Sequence, residues 1–300
     1  MGESLTLPVP ETLHATYAVA YTTPPPDPRE LARRRLDRHP APLRDLALRM
    51  LDSPLLTLDL RPAADFPPLP AELLAAFGAT RRELAGIAAA SHLLAVHATY
   101  RPGWPPAHEW ATRAIAGAAG ADDVPVIDVF TPQVLGQDRI LRSLPGPDGA
   151  VRLVDWILLP HTPGPHGFYF TTKGLARFGL PELQTENVPA HLVEPWGRLL
   201  NGLASRLLGL WLDRLHPGEH PVLIDLPELV SVGLQDVAAA QGAEAETHRE
   251  VQVRLRLDTD EDGEPLLTVD GPDRPDALCA ALFGASRLAE GRRQAPGSGP

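Results

Sequence analysis

A stripe of large apolar side chains in the second half of the chain constrains the fold more than any other feature. The stripe consists of Trp196, Leu199, Leu200, Leu203, Leu207, Leu210 and Trp211. Its steps of three and four residues predict an amphipathic helix over 194–215, because residues at this spacing share one face of a helix. Such a face is stable only when other elements cover it, so we expect the helix to lie in a core.

Other segments carry the periodicity of strands or of shorter helices. Alternation of apolar and polar residues over 12–22 predicts a strand, because successive side chains of a strand point to opposite faces. Similar or short apolar patterns predict further strands over 55–60, 92–100, 124–130, 151–159, 167–171, 221–226, 251–257 and 266–269. Helices are predicted over 28–52 with a break near Pro40 or Pro42, and over 71–77, 80–90, 105–120 and 274–291.

This arrangement predicts an α+β fold with mixed sheets and packed helices. The strand–helix–strand order over 92–130 indicates a βαβ unit or a split version of one. Each half of the chain holds a long helix between two strands, which suggests two similar α/β modules. We therefore predict an N-terminal α/β half (1–150), a C-terminal α+β half with a hairpin (151–291), and a disordered tail (292–300) that is rich in Gly, Ser and Pro.

Charge and composition narrow the classes of function. The formal net charge of −11 argues against nucleic-acid binding, which depends on neutralising phosphates with Lys and Arg. It also disfavours docking on anionic membranes. The N-terminus lacks the basic and apolar regions of a secretory signal, and no apolar run reaches the length of a membrane span. We therefore expect a cytoplasmic protein. Cys279, the single cysteine, lies among apolar residues and is predicted to be buried.

Two groups of residues resemble metal ligands without completing a site. Residues 258–263 place three aspartates and Gly263 as in the first half of an EF-hand loop, but the twelfth position is Val269. An acidic hairpin tip is therefore the prediction there. His161 and His166 flank a Pro/Gly loop, and no third ligand follows from the spacing of the sequence. We predict no metal and no cofactor.

The lone lysine of the chain marks the best candidate for a ligand site. Thr171, Thr172 and Lys173 lie at a predicted strand-to-helix junction, where hydroxyls, an ammonium and backbone N–H groups can hold an anion. His166, Arg177 and Glu182 complete this candidate set. It is not a Walker A loop, because Thr172 replaces the glycine before the lysine. A simpler interpretation is that Thr172 caps a short helix, which Gly179 ends in a left-handed conformation. No catalytic residue is assigned, because no known catalytic motif is present.

Three blocks in the middle of the chain carry a resemblance to a known family. They are the strand, helix and strand of 92–130, the Thr-x-Gly-Leu-x-x-Phe-Gly-x-x-Glu block of 172–182, and the Leu-rich helix near Asn201. In these blocks residues 91–208 resemble a bacterial family of unknown function. Members of that family are often encoded beside toxin-immunity and other accessory genes. The resemblance implies a binding or neutralising role, and it supplies no catalytic residue.

Two functions from different classes follow from these observations. The first is a non-enzymatic interaction protein of the immunity or accessory type, whose acidic surface suits a basic partner protein. The alternative is a small-molecule enzyme or anion-binding protein that uses the Thr171-Thr172-Lys173 segment together with His166. The first predicts an exposed acidic or apolar patch, whereas the second predicts a pocket in which His166, Lys173 and a carboxylate converge.

Overall fold

The chain folds into two compact units that are each built on their own sheets. The structure, a computed structural model, describes residues 3–102, 106–120, 124–146, 151–215, 221–271 and 274–284. The N-terminal unit is Pro10–Gly149, and the C-terminal unit joins Met1–Val9 to Ala150–Pro300. Within the described residues the fold is α+β with mixed sheets, as the sequence predicts. None of the helices in these ranges has the length and apolar content needed to cross a membrane.

One antiparallel sheet of five strands forms the centre of the N-terminal unit. The first strand of the chain, β1 (Ser4–Pro8), belongs to the other unit. The sheet contains β2 (Leu13–Tyr21), β3 (Leu56–Pro62), β4 (His92–Tyr100), β5 (Val126–Asp128) and β6 (Gln133–Leu135), in the order β3-β4-β2-β5-β6. The helices are α1 (Pro28–Leu36), α2 (Ala41–Leu51), α3 (Ala71–Ala76), α4 (Arg81–Ala88), α5 (Ala107–Ala119) and α6 (Gln137–Ser143).

The helix α5 connects two strands that run parallel with one strand between them. Both β4 and β5 are antiparallel to β2, so they are parallel to each other. This is a split βαβ arrangement, one of the two alternatives that the sequence indicates. The helix packs on β2 and β4, while α1 and α2 pack on α5. The predicted break near Pro40 separates α1 from α2.

Side-chain caps explain where two of these helices begin. Asp27 precedes α1 and accepts a hydrogen bond from the backbone N–H of Glu30 at 3.0 Å, with Pro28 in the first helical position. Thr80 precedes α4 and forms a reciprocal capping box with Glu83. Both features are readable in the sequence because the bonds join residues three positions apart.

A mixed sheet of six strands forms the centre of the C-terminal unit. Its strands are β7 (His161–Gly164), β8 (Gly167–Thr171), β9 (Glu182–Val188), β11 (Leu229–Gly233), β12 (Glu250–Thr259) and β13 (Pro265–Asp270), and β10 (Leu223–Pro227) pairs with β1 in a separate ribbon. The sheet order is β11-β12-β13-β9-β8-β7, in which β13 and β9 are parallel and the other neighbours are antiparallel. The helices are α7 (Val193–Arg214), α8 (Leu234–Ala240) and α9 (Pro275–Phe283).

The helix α7 is the predicted amphipathic helix, and it forms the core of the C-terminal unit. Every member of the predicted apolar stripe except Leu210 is buried. The helix packs on β9, β11 and α8. A Cβ on Gly202 would lie 2.7 Å from a methyl group of Val237, so only glycine permits this approach of α8. The indole N–H of Trp211 donates to the carbonyl of Phe178 at 2.9 Å.

Several expectations from the sequence are wrong or fall outside the described residues. The predicted strand over 151–159 is instead a 3₁₀ helix, Leu153–Asp155, followed by one isolated bridge between Leu158 and Lys173. The reason is helical spacing, because Trp156 and Ile157 follow Leu153 by three and four positions and so share one face of a helical turn. All three side chains are buried. The last helix ends at Phe283. Residues 285–291 of that predicted helix and the tail over 292–300 lie outside the described residues.

The two units do not repeat one topology. In the N-terminal unit α5 joins two strands of the same sheet. In the C-terminal unit α7 follows β9 and precedes β10, which belong to different sheets. The similar modules that the sequence suggested are therefore not seen in the strand order. Periodicity indicates the sequence of elements, whereas pairing partners depend on contacts between distant strands.

Candidate functional site

The predicted anion cradle is filled by a carboxylate of the chain itself. Glu182 begins β9, and its Oε1 accepts hydrogen bonds from the backbone N–H groups of Gly174 at 2.7 Å and Ala176 at 3.2 Å. Its Oε2 accepts a hydrogen bond from the hydroxyl of Thr172 at 2.6 Å. The groups predicted to hold an external anion therefore hold Glu182, and this links β9 to the loop after β8.

Thr172 connects two strands instead of capping the short helix. Its hydroxyl also accepts a hydrogen bond from the backbone N–H of Leu183 at 2.7 Å, and its side chain is buried. The residue before the 3₁₀ helix Leu175–Phe178 is Gly174, with φ of 117°. The cap predicted for Thr172 is therefore wrong, because Glu182 supplies the acceptor. Gly179 ends this helix in the predicted left-handed conformation, with φ of 86°.

The other members of the predicted ligand set do not converge. The side chain of Arg177 is 1% exposed, and its guanidinium carbon lies 5.5 Å from the ring centroid of Trp156, so it belongs to the core. His166 is exposed at the turn between β7 and β8. The length of β8, about 16 Å at the rise of a strand, separates it from Thr172. Lys173 is exposed, and Thr171 donates a hydrogen bond to the carbonyl of Thr172.

We expect removal of the Glu182 carboxylate to destabilise the C-terminal unit. In Glu182→Ala the two amides and the Thr172 hydroxyl lose their acceptor, and the expected loss in free energy of unfolding is about 2–3 kcal/mol. Urea denaturation measures this loss. Glu186→Gln is the matched control, since Glu186 is an exposed carboxylate of the same strand, and we expect it to change stability by less than about 0.5 kcal/mol. Equal stability of both variants would contradict the role of Glu182.

The histidine and aspartate groups that resemble metal ligands, and Cys279, have structural roles. His161 lies on β7, and its ring stacks on Phe170 at a centroid distance of 5.1 Å. In the acidic turn, Asp260 accepts hydrogen bonds from the backbone N–H groups of Asp262 and Glu264. Burial raises the pKa of Cys279 to about 12, so this thiol stays protonated at neutral pH. Within the described ranges, no three His, Cys, Asp or Glu side chains are grouped to hold a metal ion.

A histidine pair that the sequence did not indicate lies on the sheet of the N-terminal unit. The rings of His14 and His97 stack with a centroid distance of 5.5 Å. The Nδ1 atom of His14 is hydrogen-bonded to the hydroxyl of Thr99. The Nδ1 atom of His97 is hydrogen-bonded to the hydroxyl of Thr16, so both bonds join β2 to β4. Burial, and to a lesser extent the charge of His14, lower the pKa of His97. Both rings are thus held by cross-strand hydrogen bonds, which is a structural role.

A buried network of ionisable side chains holds α5 to the sheet of the N-terminal unit. Arg113 and Asp128 are 0% and 1% exposed and form an ion pair at 2.9 Å. The Nε of Arg113 donates to the hydroxyl of Tyr17, and this hydroxyl donates to Glu109 at 2.8 Å. Tyr100 donates to the second oxygen of Glu109. The network is enclosed and its groups bond to one another, so it stabilises the unit and does not face a ligand.

A cavity of about 590 Å³ lies between the parallel strands β9 and β13 of the C-terminal unit. Their pairing runs from Leu266↔Glu182 to Thr268↔Gln184 and then stops, although both strands continue. The next residues, 185–187 and 269–271, line the cavity. It therefore opens at the carboxyl ends of a parallel pair, the place where ligands bind in sheets with parallel strands. We call it the β9–β13 cleft.

The backbone of β9 is irregular in the segment that lines the cleft. Asn187 has φ of 59°, which is rare for a residue other than glycine. The register between β8 and β9 shifts between Phe168 and Phe170, which is a bulge at the same place. A Cβ on Gly167 would lie 2.7 Å from the carbonyl oxygen of Val188, so β8 and the end of β9 are in close contact there. The cleft is thus built into the strand geometry.

A chain of hydrogen bonds across four strands forms one wall of the cleft. Tyr169 donates to the Oε1 of Gln184 at 2.9 Å, and the amide of Gln184 donates to Thr268 at 2.7 Å. Thr268 donates to Asp258, which forms an ion pair with Arg256 at 2.9 Å. Burial raises the pKa of the Tyr169 hydroxyl, which keeps it a neutral donor. The wall is therefore polar and fixed in position.

Two further carboxylates give the cleft a negative charge. Glu186 and Asp270 both line it, and both are exposed. Arg256 is the cation among the described lining residues, and it is paired with Asp258. Neither Glu186 nor Asp270 forms an ion pair with any residue that the structure describes. The open side of the cleft therefore favours positively charged groups.

Trp196 of α7 lines the cleft and carries a buried hydrogen-bond donor. Its side chain lines the cavity and is 1% exposed. The indole N–H has no acceptor in the described part of the chain. A buried donor without an acceptor costs about 1–3 kcal/mol, so proteins seldom keep one without a reason. Periodicity assigns Trp196 to the core stripe, and nothing in the sequence indicates that its side chain also lines a cavity.

Comparison of the chain with protein-family models, with curated proteins and with solved structures found no match in any of the three. The resemblance of residues 91–208 to a bacterial family of unknown function therefore stays a prediction. The candidate site is defined by geometry alone: a polar cleft with two exposed carboxylates, Glu186 and Asp270, that form no ion pair with the residues described.

Proposed function

We propose that this protein is a non-enzymatic binding protein that recognises a positively charged partner protein through the β9–β13 cleft. The observation that carries the proposal is the pair of exposed carboxylates, Glu186 and Asp270, on a preformed cleft. The net charge of −11 supports it, because a negative surface attracts a basic partner and raises the rate of encounter. An accessory protein of the immunity type fits this chemistry.

The chemistry of the lining favours binding over catalysis. The wall contains the hydroxyl of Thr268. This hydroxyl accepts a hydrogen bond from Gln184 and donates one to Asp258, so it is already used as acceptor and as donor. The described lining residues include neither histidine nor cysteine. Nucleophilic catalysis needs a hydroxyl or thiol whose proton passes to a free base, and the proton of the Thr268 hydroxyl is already donated to Asp258. The alternative of an anion site at Thr171-Thr172-Lys173 has less support, because Glu182 occupies its amides.

The proposal predicts that neutralising the two carboxylates weakens binding of basic peptides. The probe is a peptide of alternating Arg and Gly residues. A peptide of alternating Asp and Gly residues is the control of opposite charge. We expect the wild type to bind the Arg/Gly peptide and not the Asp/Gly peptide. The double variant Glu186→Gln/Asp270→Asn should bind it at least about tenfold more weakly, since two charge contacts are lost. Isothermal titration calorimetry at two salt concentrations measures the change and its screening.

A second double variant separates the cleft from the general charge of the protein. Glu244→Gln/Glu246→Gln removes the same charge from exposed positions outside the lining of the cleft. We expect it to retain the affinity of the wild type for the basic peptide within about twofold, because distant surface charges are screened. An equal loss in both double variants would show a diffuse charge effect and would overturn the assignment of the cleft.

A further inference from the structure

The stacked rings of His14 and His97, the His14–His97 pair, lie at the open end of a sheet face in the N-terminal unit. Successive residues of a strand point to opposite faces, and Tyr17 of β2 bonds to Glu109 of α5. The pair therefore lies on the face away from α5. An apolar cluster around Leu93 covers one end of this face, whereas at the other end His14 is exposed and His97 is half-buried. Water can thus reach both rings.

The pair belongs to a chain of hydrogen bonds between β2 and β4. Thr16 bonds to Nδ1 of His97 at 2.9 Å, and Nε2 of the same ring bonds to Thr99 at 3.3 Å. The Thr99 hydroxyl also bonds to Nδ1 of His14 at 3.2 Å. A neutral imidazole has one donor and one acceptor nitrogen, and a hydroxyl can both donate and accept. Every bond of the chain therefore has one donor and one acceptor when no ring, or only one ring, is charged.

Two charged rings do not fit this chain. Both nitrogens that face Thr99 would be donors, so the proton of its hydroxyl would have no acceptor on either ring. The rings are stacked with a centroid distance of 5.5 Å and an interplanar angle of 18°, and two like charges at this distance repel each other. Burial, followed by the charge of His14, lowers the pKa of His97, which agrees with this geometry.

The charged groups around this face do not neutralise the rings. Asp59 and Arg61 of β3 lie on the same face and pair with each other at 2.9 Å. Glu11 and Arg101, beside the ends of β2 and β4, are exposed and have opposite charges. Neither ring of the pair forms an ion pair with a carboxylate that the structure describes. The repulsion between two charged rings is therefore not offset by an ion pair.

We infer that the His14–His97 pair is a pH-sensitive clasp, which holds β2 to β4 while at most one ring is charged and weakens when both rings are protonated. The inference is independent of the proposed function, which concerns the cleft of the C-terminal unit. Because folding lowers the pKa of His97, the unfolded chain binds a proton that the folded unit does not bind. Stability is therefore lost as the pH falls through 6.5, the ordinary pKa of a histidine, and the loss is complete below the lowered pKa of the folded unit.

An NMR titration of the imidazole ¹H–¹³C signals, assigned in the wild-type chain through the backbone, tests the coupling of the rings. We expect the His97 signal to show two inflections, because it senses the protonation of both rings. His14→Gln removes the neighbouring charge and keeps an amide that can bond to Thr99, so it should raise the pKa of His97. His92→Gln removes a histidine at the other end of β4 and is the matched control, which should leave this pKa unchanged.

Urea denaturation at about pH 8 and about pH 5.5, followed by the amide signals of β2 and β4, tests the effect on the N-terminal unit. The wild type should lose stability at the lower pH. His14→Gln should lose about threefold less in the folding equilibrium constant, which is the size of the repulsion of two charges at this distance in water. Burial also lowers the pKa values of His39 and His108, but both remain in both proteins, so their contribution cancels.

Each readout can overturn the inference by itself. A single inflection of the His97 signal in the wild type would show that the rings do not titrate together, and this result requires no variant. An unchanged pKa of His97 in His14→Gln would show the same. An equal loss of stability in the wild type and in His14→Gln would show that the pair does not act as a clasp between the strands.

Discussion

Replacing Arg113 by methionine is expected to lower the free energy of unfolding of the N-terminal unit by about 3–5 kcal/mol. Methionine fills a similar volume but leaves the carboxyl group of Asp128 enclosed without its guanidinium partner. The hydroxyl of Tyr17 also loses the donor that bonds to it. Breaking one side of a buried ion pair is costly because the remaining group stays away from water. Urea denaturation followed by circular dichroism measures the loss.

A double-mutant cycle tests the physical reason for this loss. In Arg113→Met/Asp128→Asn the unpaired carboxyl of Asp128 is replaced by a neutral amide that still accepts from the N–H groups of Phe130 and Thr131. The double variant should therefore be less destabilised than the sum of the two single variants. Arg33→Met, which breaks an exposed pair with Asp52, is the surface control and should shift the midpoint little. Strict additivity would show that the buried pair is not coupled.

Replacing Trp156 by alanine is expected to lower the free energy of unfolding of the C-terminal unit by a similar amount, about 3–5 kcal/mol. The side chain is 0% exposed, so its removal leaves a large cavity. It also removes the ring that lies beside the Arg177 guanidinium and the edge contact with Phe178 at 6.2 Å. The buried guanidinium of Arg177 would then lie against the empty space left by the substitution instead of against the Trp156 ring.

The conservative substitution shows which part of this loss is due to packing. Trp156→Phe keeps an aromatic face towards Arg177 and removes less volume, so we expect a loss of about half that of alanine. Hydrogen exchange of the backbone amides of α7 follows the C-terminal unit separately from the N-terminal unit. If Trp156→Ala left exchange in α7 unchanged, Trp156 would not belong to the core of that unit.

Two carboxylates of β9 have different roles, one in the filled anion cradle and one in the β9–β13 cleft. At the cradle, Glu182 satisfies two backbone N–H groups and a hydroxyl within the fold. At the cleft, Glu186 of the same strand faces outward without an ion-pair partner among the described residues. A carboxylate that is satisfied internally contributes to stability, whereas one that is left open on a rigid cleft is available for binding. The Glu182→Ala and Glu186→Gln variants separate these roles.

Local patterns in the sequence determined most of the elements of the fold. Alternation placed β2, an apolar run placed β4, and the three- and four-residue steps placed α7, because each pattern reflects which side of one element is buried. The caps at Asp27 and Thr80 depend on residues three positions away, so they were readable too. The order of β4, α5 and β5 indicated a βαβ unit or a split version of one, because chain connectivity leaves few alternatives.

Only the tertiary structure decided where the functional groups meet. Gln184 and Thr268 are 84 positions apart, and no spacing rule links them until β9 and β13 pair. The same pairing ends after Gln184, and the next residues of β9 and β13 line the cleft together with Trp196. Sequence reasoning assigned Arg177 and Glu182 to a ligand because charge is visible in a sequence and burial is not. Periodicity encodes the faces of single elements, whereas a site arises from contacts between elements that are distant in the chain.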